Sequence, residues 1–223
     1  MESLVQSSQA YWRQLDILNP DNIKNFPITI IGVGAIGSFT ALSLAKMGAS
    51  NLTVYDDDSV EIHNLPNQFY KTSDIMHKKS GCLNSLIKEM TDIEIHNHFE
   101  KFSNQQIGGI VISAVDSMKA RMEIWNRIKL NPAVELYIDG RMGGQVFRVY
   151  SIRPTDYDDI KLYESNLYSD EEAVDEACTN KAIIYNVLGI ASIICNSVKR
   201  FVNGEELFKE LHFDYVTLTC QRA

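Results

Sequence analysis

Two features of this sequence are suited to holding a nucleotide. Gly32-Val33-Gly34-Ala35-Ile36-Gly37 is a G-x-G-x-x-G run. Placed between a strand and a helix, such a run lets the backbone approach a phosphate closely, while the helix N-terminus adds unpaired N–H groups and a partial positive charge. Asp56 stands about 20 residues further on, where a carboxylate can take ribose hydroxyls. Together they favour an adenine nucleotide and do not separate NAD from ATP. Cys178 is a third candidate, because a thiolate near a helix N-terminus is stabilised as a nucleophile, although Asp175 and Glu176 beside it would raise its pKa.

The surrounding pattern supplies the elements that must position these groups. Residues 28–33 are apolar throughout, as a central parallel strand is. A helix over 38–47 stops at Gly48, and Leu52-Thr53-Val54-Tyr55 forms a second strand ending on Asp56-Asp57-Asp58, which completes a βαβ unit. Apolar spacing through Leu4, Tyr11, Leu15 and Ile17 predicts an N-terminal helix within residues 1–20, ending before Asn19-Pro20. Downstream the sequence predicts a polar loop over 59–77, a helix around 81–89, a third strand at 93–96, a fourth at 109–114, a helix over 119–130 and a fifth strand at 136–139. Residues 145–152 alternate, as an outer strand pairing antiparallel with a later segment does. Residues 155–180 are strongly acidic and are expected to form a mobile crossover segment, followed by a long apolar helix over 182–201 and a last strand at 213–219. The expected architecture is one α/β domain spanning residues 1–223: a Rossmann-like, doubly wound, mostly parallel sheet with an antiparallel C-terminal addition.

The residues after Asp56 break the tie between nucleotides. Asp56-Asp57-Asp58-Ser59-Val60-Glu61-Ile62-His63-Asn64-Leu65-Pro66-Asn67-Gln68 resembles the D-x-D-x-V-x-x-x-N-L-x-R-Q pattern of the ThiF/MoeB-type adenylyltransferases, the relatives of ubiquitin-activating enzymes. Tyr11-Trp12-Arg13-Gln14 resembles the family's aromatic-x-Arg-Gln entry, Asp74-Ile75-Met76-His77-Lys78-Lys79 its D-I-G-x-x-K segment, and Val115-Asp116-Ser117 with Arg121 its strand-ending aspartate followed five positions on by a basic residue. The resemblance implies binding of ATP and Mg²⁺ and attack on the α-phosphate by a C-terminal carboxylate of a ubiquitin-like, sulfur-carrier or peptide substrate. On this reading Gly32, Gly34, Gly37, Asp56 and Asp58 belong to the nucleotide site. Asn64 and Gln68 reach phosphates or the metal shell, Lys79 sits against the phosphates, and Asp116 holds Mg²⁺. Arg13 acts across a homodimer interface on the neighbour's γ-phosphate. Cys178-Thr179 resembles the crossover cysteine of thioester-forming relatives.

Two positions depart from the family pattern: Asn67 stands at the arginine expected to clamp the triphosphate, and Met76 at a glycine. The family's paired C-x-x-C motifs are absent, so no zinc is expected. Cys82, Cys178, Cys195 and Cys220 are widely spaced, which with the lack of a signal-peptide pattern suits a reducing cytoplasm. A net charge of −8 leaves no basic face for nucleic acid, and the apolar runs are too short for a membrane span. Two other classes remain open at this point: an NAD-dependent oxidoreductase, and a nucleotide- or partner-binding subunit without turnover.

Overall fold

The computed structural model describes residues 10–168 and 183–223. Its centre is β1 (Ile28–Ile31), every residue of which is buried. β1 pairs in parallel with β2 (Leu52–Tyr55) on one side and with β4 (Gly109–Ser113) on the other. β3 (His96–His98) extends the sheet beyond β2, and β5 (Val134–Gly143) beyond β4, both in parallel. β6 (Val146–Ile152), β7 (Glu210–Asp214) and β8 (Thr219–Arg222) then add on antiparallel, giving the order β3-β2-β1-β4-β5-β6-β7-β8. The doubly wound, mostly parallel sheet with an antiparallel C-terminal addition is the architecture expected from the sequence.

Helices cover both faces. α1 (Pro20–Ile23) leads into β1; α2 (Ala35–Lys46), α3 (Lys79–Thr91) and α6 (Ile184–Val202) lie on one side. There Ile30, Ile36, Leu44, Leu83, Ile138, Ile190 and Ile194 share one core. α4 (Met118–Ile128) and α5 (Tyr157–Glu164) cover the other face over Ile31, Val111, Trp125, Tyr137, Tyr150 and Tyr163. Such burial, about 25 cal/mol per Å² of apolar surface, explains why β1 and β4 read as near-continuous apolar runs, with only Thr29 and the terminal Ser113 polar, rather than alternating ones.

Four expected elements differ, each for a local reason. Residues 1–9 of the expected N-terminal helix lie outside the described residues; Ala10 is helical, but the chain then passes into a 3₁₀ turn at Trp12–Gln14, with Trp12, Leu15 and Ile17 exposed. No helix runs into Asn19-Pro20, as expected, but the pair starts a short one, since the Asn19 side chain accepts from Asp21 N–H at 3.0 Å and proline suits the first helical position. The third strand begins at His96 rather than Ile93. Asp92 at φ 61 closes α3, and Thr91 Oγ1 and Asn84 Oδ1 take the N–H groups of Ile93 and Ile95. The acidic run read as a mobile crossover holds a helix, α5. Asp156 caps it by accepting from Asp158 and Asp159 N–H at 3.0 Å, and acidic residues favour a helix N-terminus. The last expected strand is two, because Asp214 Oδ1 accepts from Val216 N–H at 2.7 Å and turns the chain between β7 and β8.

Candidate nucleotide site

In an open parallel sheet, ligands gather outside the carboxyl ends of the strands where the order reverses. Here that point lies between β1 and β4, and both strands end in candidate residues. β1 runs into Gly32 and β4 into Ala114-Val115-Asp116.

The three glycines meet three different demands. Gly32 has φ +86, and a Cβ on it would lie 2.8 Å from the carbonyl oxygen of Ala114. Gly37 lies on α2, where a Cβ would come within 1.9 Å of the Gly32 carbonyl oxygen. Both are required by the protein's own packing. Gly34 is different: a Cβ there would find only Gln68 Nε2, at 3.8 Å. It is also the N-cap of α2 and offers the helix no capping side chain, and no side chain among the described residues bonds the helix's first N–H groups. An open, uncapped N-terminus on a twelve-residue helix is a site for an anion.

Asp56 fixes this turn. Its Oδ2 accepts from Val33 N–H at 2.8 Å and its Oδ1 from Asp58 N–H at 2.9 Å. Burial raises its pKa, opposed by those two N–H groups and by the Lys79 charge nearby. Tyr70 reinforces the turn, its hydroxyl donating to Val33 O at 2.7 Å. Lys79 opens α3 with its side chain only 8% exposed, and its Nζ bonds Asp58 Oδ2 at 2.8 Å; the Asp58 side chain is 65% exposed. A pair with one partner so exposed is worth at most about 1 kcal/mol. Stability therefore does not account for a lysine held here, and an incoming anion can replace Asp58 as its partner.

Asn64 and Gln68 come from the loop between β2 and α3. Asn64 is buried and accepts from Glu61 N–H at 2.8 Å, which closes the turn that presents Gln68. Gln68 Oε1 is buried without a hydrogen-bond partner among the described residues. A buried, unpartnered amide costs roughly 1–3 kcal/mol, and beside Gly34 it is placed to meet a ligand. Asn67 lies in the same turn, its N–H donating to Asn64 O at 3.2 Å.

Asp116 is exposed just beyond β4. Ser117, not Asp116, caps α4, with its Oγ accepting from Ala120 N–H at 3.2 Å. Arg121 does not turn towards Asp116. It is buried and bonds Asp139 Oδ1 through Nε at 3.0 Å.

Arg13 is exposed at the other end of α2, where its neighbour Gln14 donates to Met47 O at 2.8 Å. Twelve helical residues separate it from the glycine turn by roughly 18 Å, so within one chain it does not reach that turn. Cys178, with Asp175 and Glu176, lies outside the described residues. Cys195 is core, and burial pushes its thiol up to about 12.

Met76, at the family's glycine position, has φ 70 and an 80% exposed side chain. A left-handed non-glycine residue costs about 1–2 kcal/mol, partly offset by the 0.5–1 kcal/mol that glycine loses in entropy. Met76→Gly is accordingly expected to raise the unfolding free energy by up to about 1 kcal/mol, measured as a higher urea midpoint; a lower midpoint would contradict the strain.

Asp139 and Arg141 were not identified as site residues from the sequence. A strand's alternation puts residues two apart on one face, so Asp139-x-Arg141 at the end of an apolar strand was the available signal.

Comparison with known proteins accords with this geometry. The ThiF family model matches residues 7–222. Ubiquitin-like modifier-activating enzyme 5 from Rattus norvegicus is 32% identical over 123 residues, covering 47% of this chain and 30% of that protein. The Caenorhabditis elegans enzyme of the same name is 30% identical over 131 residues, covering 50% of this chain and 31% of its own. The chain thus spans about a third of the length of these relatives. Among solved structures, PaaA superposes with a TM-score of 0.77 at 17% identity, over 98% of this chain and 73% of its own. E. coli MccB with MccA-N7isoAsn gives 0.75 at 16% identity, over 97% and 71%. E. coli MccB with ATP gives 0.70 at 16% identity, over 92% and 65%. With the family model matched across nearly its whole length, and a glycine turn, Asp56, Lys79 and Asp116 set along one edge of the sheet, the chain belongs to the ThiF family.

Proposed function

We propose that the chain binds ATP with Mg²⁺ at the glycine turn and adenylates a C-terminal carboxylate on a small ubiquitin-like, sulfur-carrier or peptide acceptor, releasing pyrophosphate. The observation that carries this reading is Gly34: of the three glycines it alone has no clash where a side chain would start, the nearest atom being Gln68 Nε2 at 3.8 Å, at an uncapped helix N-terminus. Packing that does not fill this position leaves room for a ligand's phosphates.

The residues present fit such a ligand. Mg²⁺ prefers hard oxygen donors, and Asp116 offers an exposed carboxylate at the sheet's ligand edge. Bound together, ATP and Mg²⁺ supply an electrophilic α-phosphorus with a stabilised leaving group. An acceptor carboxylate oxygen then forms a bond to that phosphorus as the bridging bond to the β-phosphate breaks, giving an acyl adenylate and pyrophosphate. Charge neutralisation and alignment, more than covalent help, are what such a transfer asks of the protein. Lys79 gives up Asp58 for phosphate oxygens. Asp56 holds the Val33 N–H and offers its remaining lone pairs to ribose hydroxyls. Asn64 shapes the loop, and Gln68 turns its buried amide to phosphates or to metal-bound water. Asn67 contributes hydrogen bonds without the charge of an arginine, so the triphosphate depends the more on Lys79 and Mg²⁺.

The names of the relatives support the substrate class. Enzyme 5 is a ubiquitin-like modifier-activating enzyme, and MccB has been solved with ATP and with MccA. NAD is the competing nucleotide. ATP with Mg²⁺ is expected to protect the folded chain from heat, by about 2.7 kcal/mol at a hundred times its dissociation constant, while NAD does not. Protection by NAD and not by ATP would reject the reading.

We further propose a homodimer in which Arg13 serves the neighbouring site, since it cannot reach its own. Mixing Arg13→Ala and Asp116→Ala chains then leaves one unmutated site per heterodimer. Adenylation activity that returns on mixing supports the arrangement, whereas a monomer by light scattering with activity intact would exclude it.

A further inference from the structure

Beneath the ligand edge lies a buried ionic triad that the nucleotide reading leaves unused. Asp139 of β5 pairs in register with Ser113, the last residue of β4, and is fully buried. Its Oδ1 accepts from Arg121 Nε at 3.0 Å; its Oδ2 accepts from Arg141 Nε at 2.7 Å and from Tyr163 OH at 2.9 Å. Burial pushes the Asp139 carboxyl up, but the charges of Arg141 and Arg121 and the hydrogen bonds it accepts hold it below its usual range. The triad therefore keeps two cations and one anion inside the protein.

Well-packed apolar residues would often be as stable or more so, because desolvating three charges costs more than their attraction returns. What the triad does instead is grip backbone at chosen points. One Nη of Arg121 donates to Val115 O at 2.5 Å, directly before Asp116, and to Gly140 O at 3.1 Å. Nη1 of Arg141 donates to Asn166 O at 2.7 Å, just past α5, while its guanidinium lies over the Tyr150 ring at 4.6 Å. One carboxylate thus joins the arginine that pins the Asp116 loop to the arginine that pins the chain at residue 166.

We propose that Arg121, Asp139 and Arg141 form a positioning relay that sets the Asp116 carboxylate in register with the chain at residues 164–168, at the C-terminal end of α5. The link to metal binding rests on the reading of Asp116 given above; the mechanical coupling between the two backbone segments does not. None of the three is a catalytic residue, since each acts through backbone that it holds.

The test is reciprocal. Arg141→Lys keeps the charge beside Asp139 but loses the forked reach to Asn166, and Arg121→Lys loses the reach to Val115 and Gly140. In the full chain, Arg141→Lys is expected to speed amide hydrogen exchange roughly tenfold at residues 114–118, which Arg121 and not Arg141 grips, as well as at 164–168. Arg121→Lys is expected to do the same at 164–168. Half-saturating Mg²⁺ for heat protection by ATP rises in both. A merely structural role would change exchange only at each arginine's own contacts and leave the Mg²⁺ requirement at its parental value, and that result would overturn the relay. Should a lysine variant fail to fold, Tyr163→Phe removes one neutral bond to Asp139 and is expected to loosen both segments together; loosening of only one overturns the proposal. If the parent shows no response to ATP and Mg²⁺, the role given to Asp116 fails, while the exchange measurements still decide the coupling.

Discussion

Gly34→Val is expected to fold as the parent does and to lose nucleotide binding. The first half follows from the space around Gly34, where a Cβ would meet only Gln68 Nε2 at 3.8 Å. The second follows from what that space is for. A branched side chain there pushes phosphates away from the N–H groups at the start of α2, and hydrogen bonds to a charged group are worth about 1.5–3 kcal/mol each. Loss of two weakens ATP binding at least roughly 100-fold by calorimetry. Gly37→Ala is the contrasting control: its Cβ would stand 1.9 Å from Gly32 O, so that variant is expected to lose the fold itself. A folded Gly34→Val protein with unchanged ATP affinity would remove the glycine turn from the site.

Asp116→Ala should leave the fold intact and reduce adenylation by a factor of about 100 to 1,000, the usual cost of losing one preorganised electrostatic contact in the transition state. Asp116 is exposed and Ser117 carries the helix cap, so stability should move by no more than about 0.5 kcal/mol. Metal-free ATP binding is expected to persist while its enhancement by Mg²⁺ disappears. Full activity in a folded, metal-saturated variant would refute the metal role. Cys178→Ala reports on a different step: if its thiolate takes the acyl group from the adenylate, ATP–pyrophosphate exchange survives and a thiol-reducible adduct with the acceptor is lost. Loss of both, or of neither, would contradict that role.

How much of this was legible in the sequence follows from where the determining interactions lie. Gly32, Gly34 and Gly37 fall within six residues between a strand and a helix, so both turn and helix could be read directly. The apolar runs of β1 and β4 declare themselves because both faces of those strands are covered. The sequence could not show that Gly34 alone of the three glycines is free of packing clashes, because Gly32 is constrained by Ala114, eighty-two positions away. For the same reason Arg121 was read as a companion of Asp116, five residues distant, although its partner is Asp139 on the neighbouring strand. The acidic stretch misled differently. Asp156, Asp158 and Asp159 look like a solvated run, yet Asp156 caps a helix whose first turn holds the other two, and Asp159 is buried against Arg153 N–H and Lys209. Charge composition alone does not tell a capped helix from an irregular segment.

The most direct test of the account is ATP–pyrophosphate exchange with the acceptor that co-purifies with the chain, assayed with its C-terminal carboxylate free and again with that carboxylate amidated. The account predicts Mg²⁺-dependent exchange with the free carboxylate and none with the amide. No exchange with either form, or equal exchange with both, would contradict adenylation of a C-terminal carboxylate.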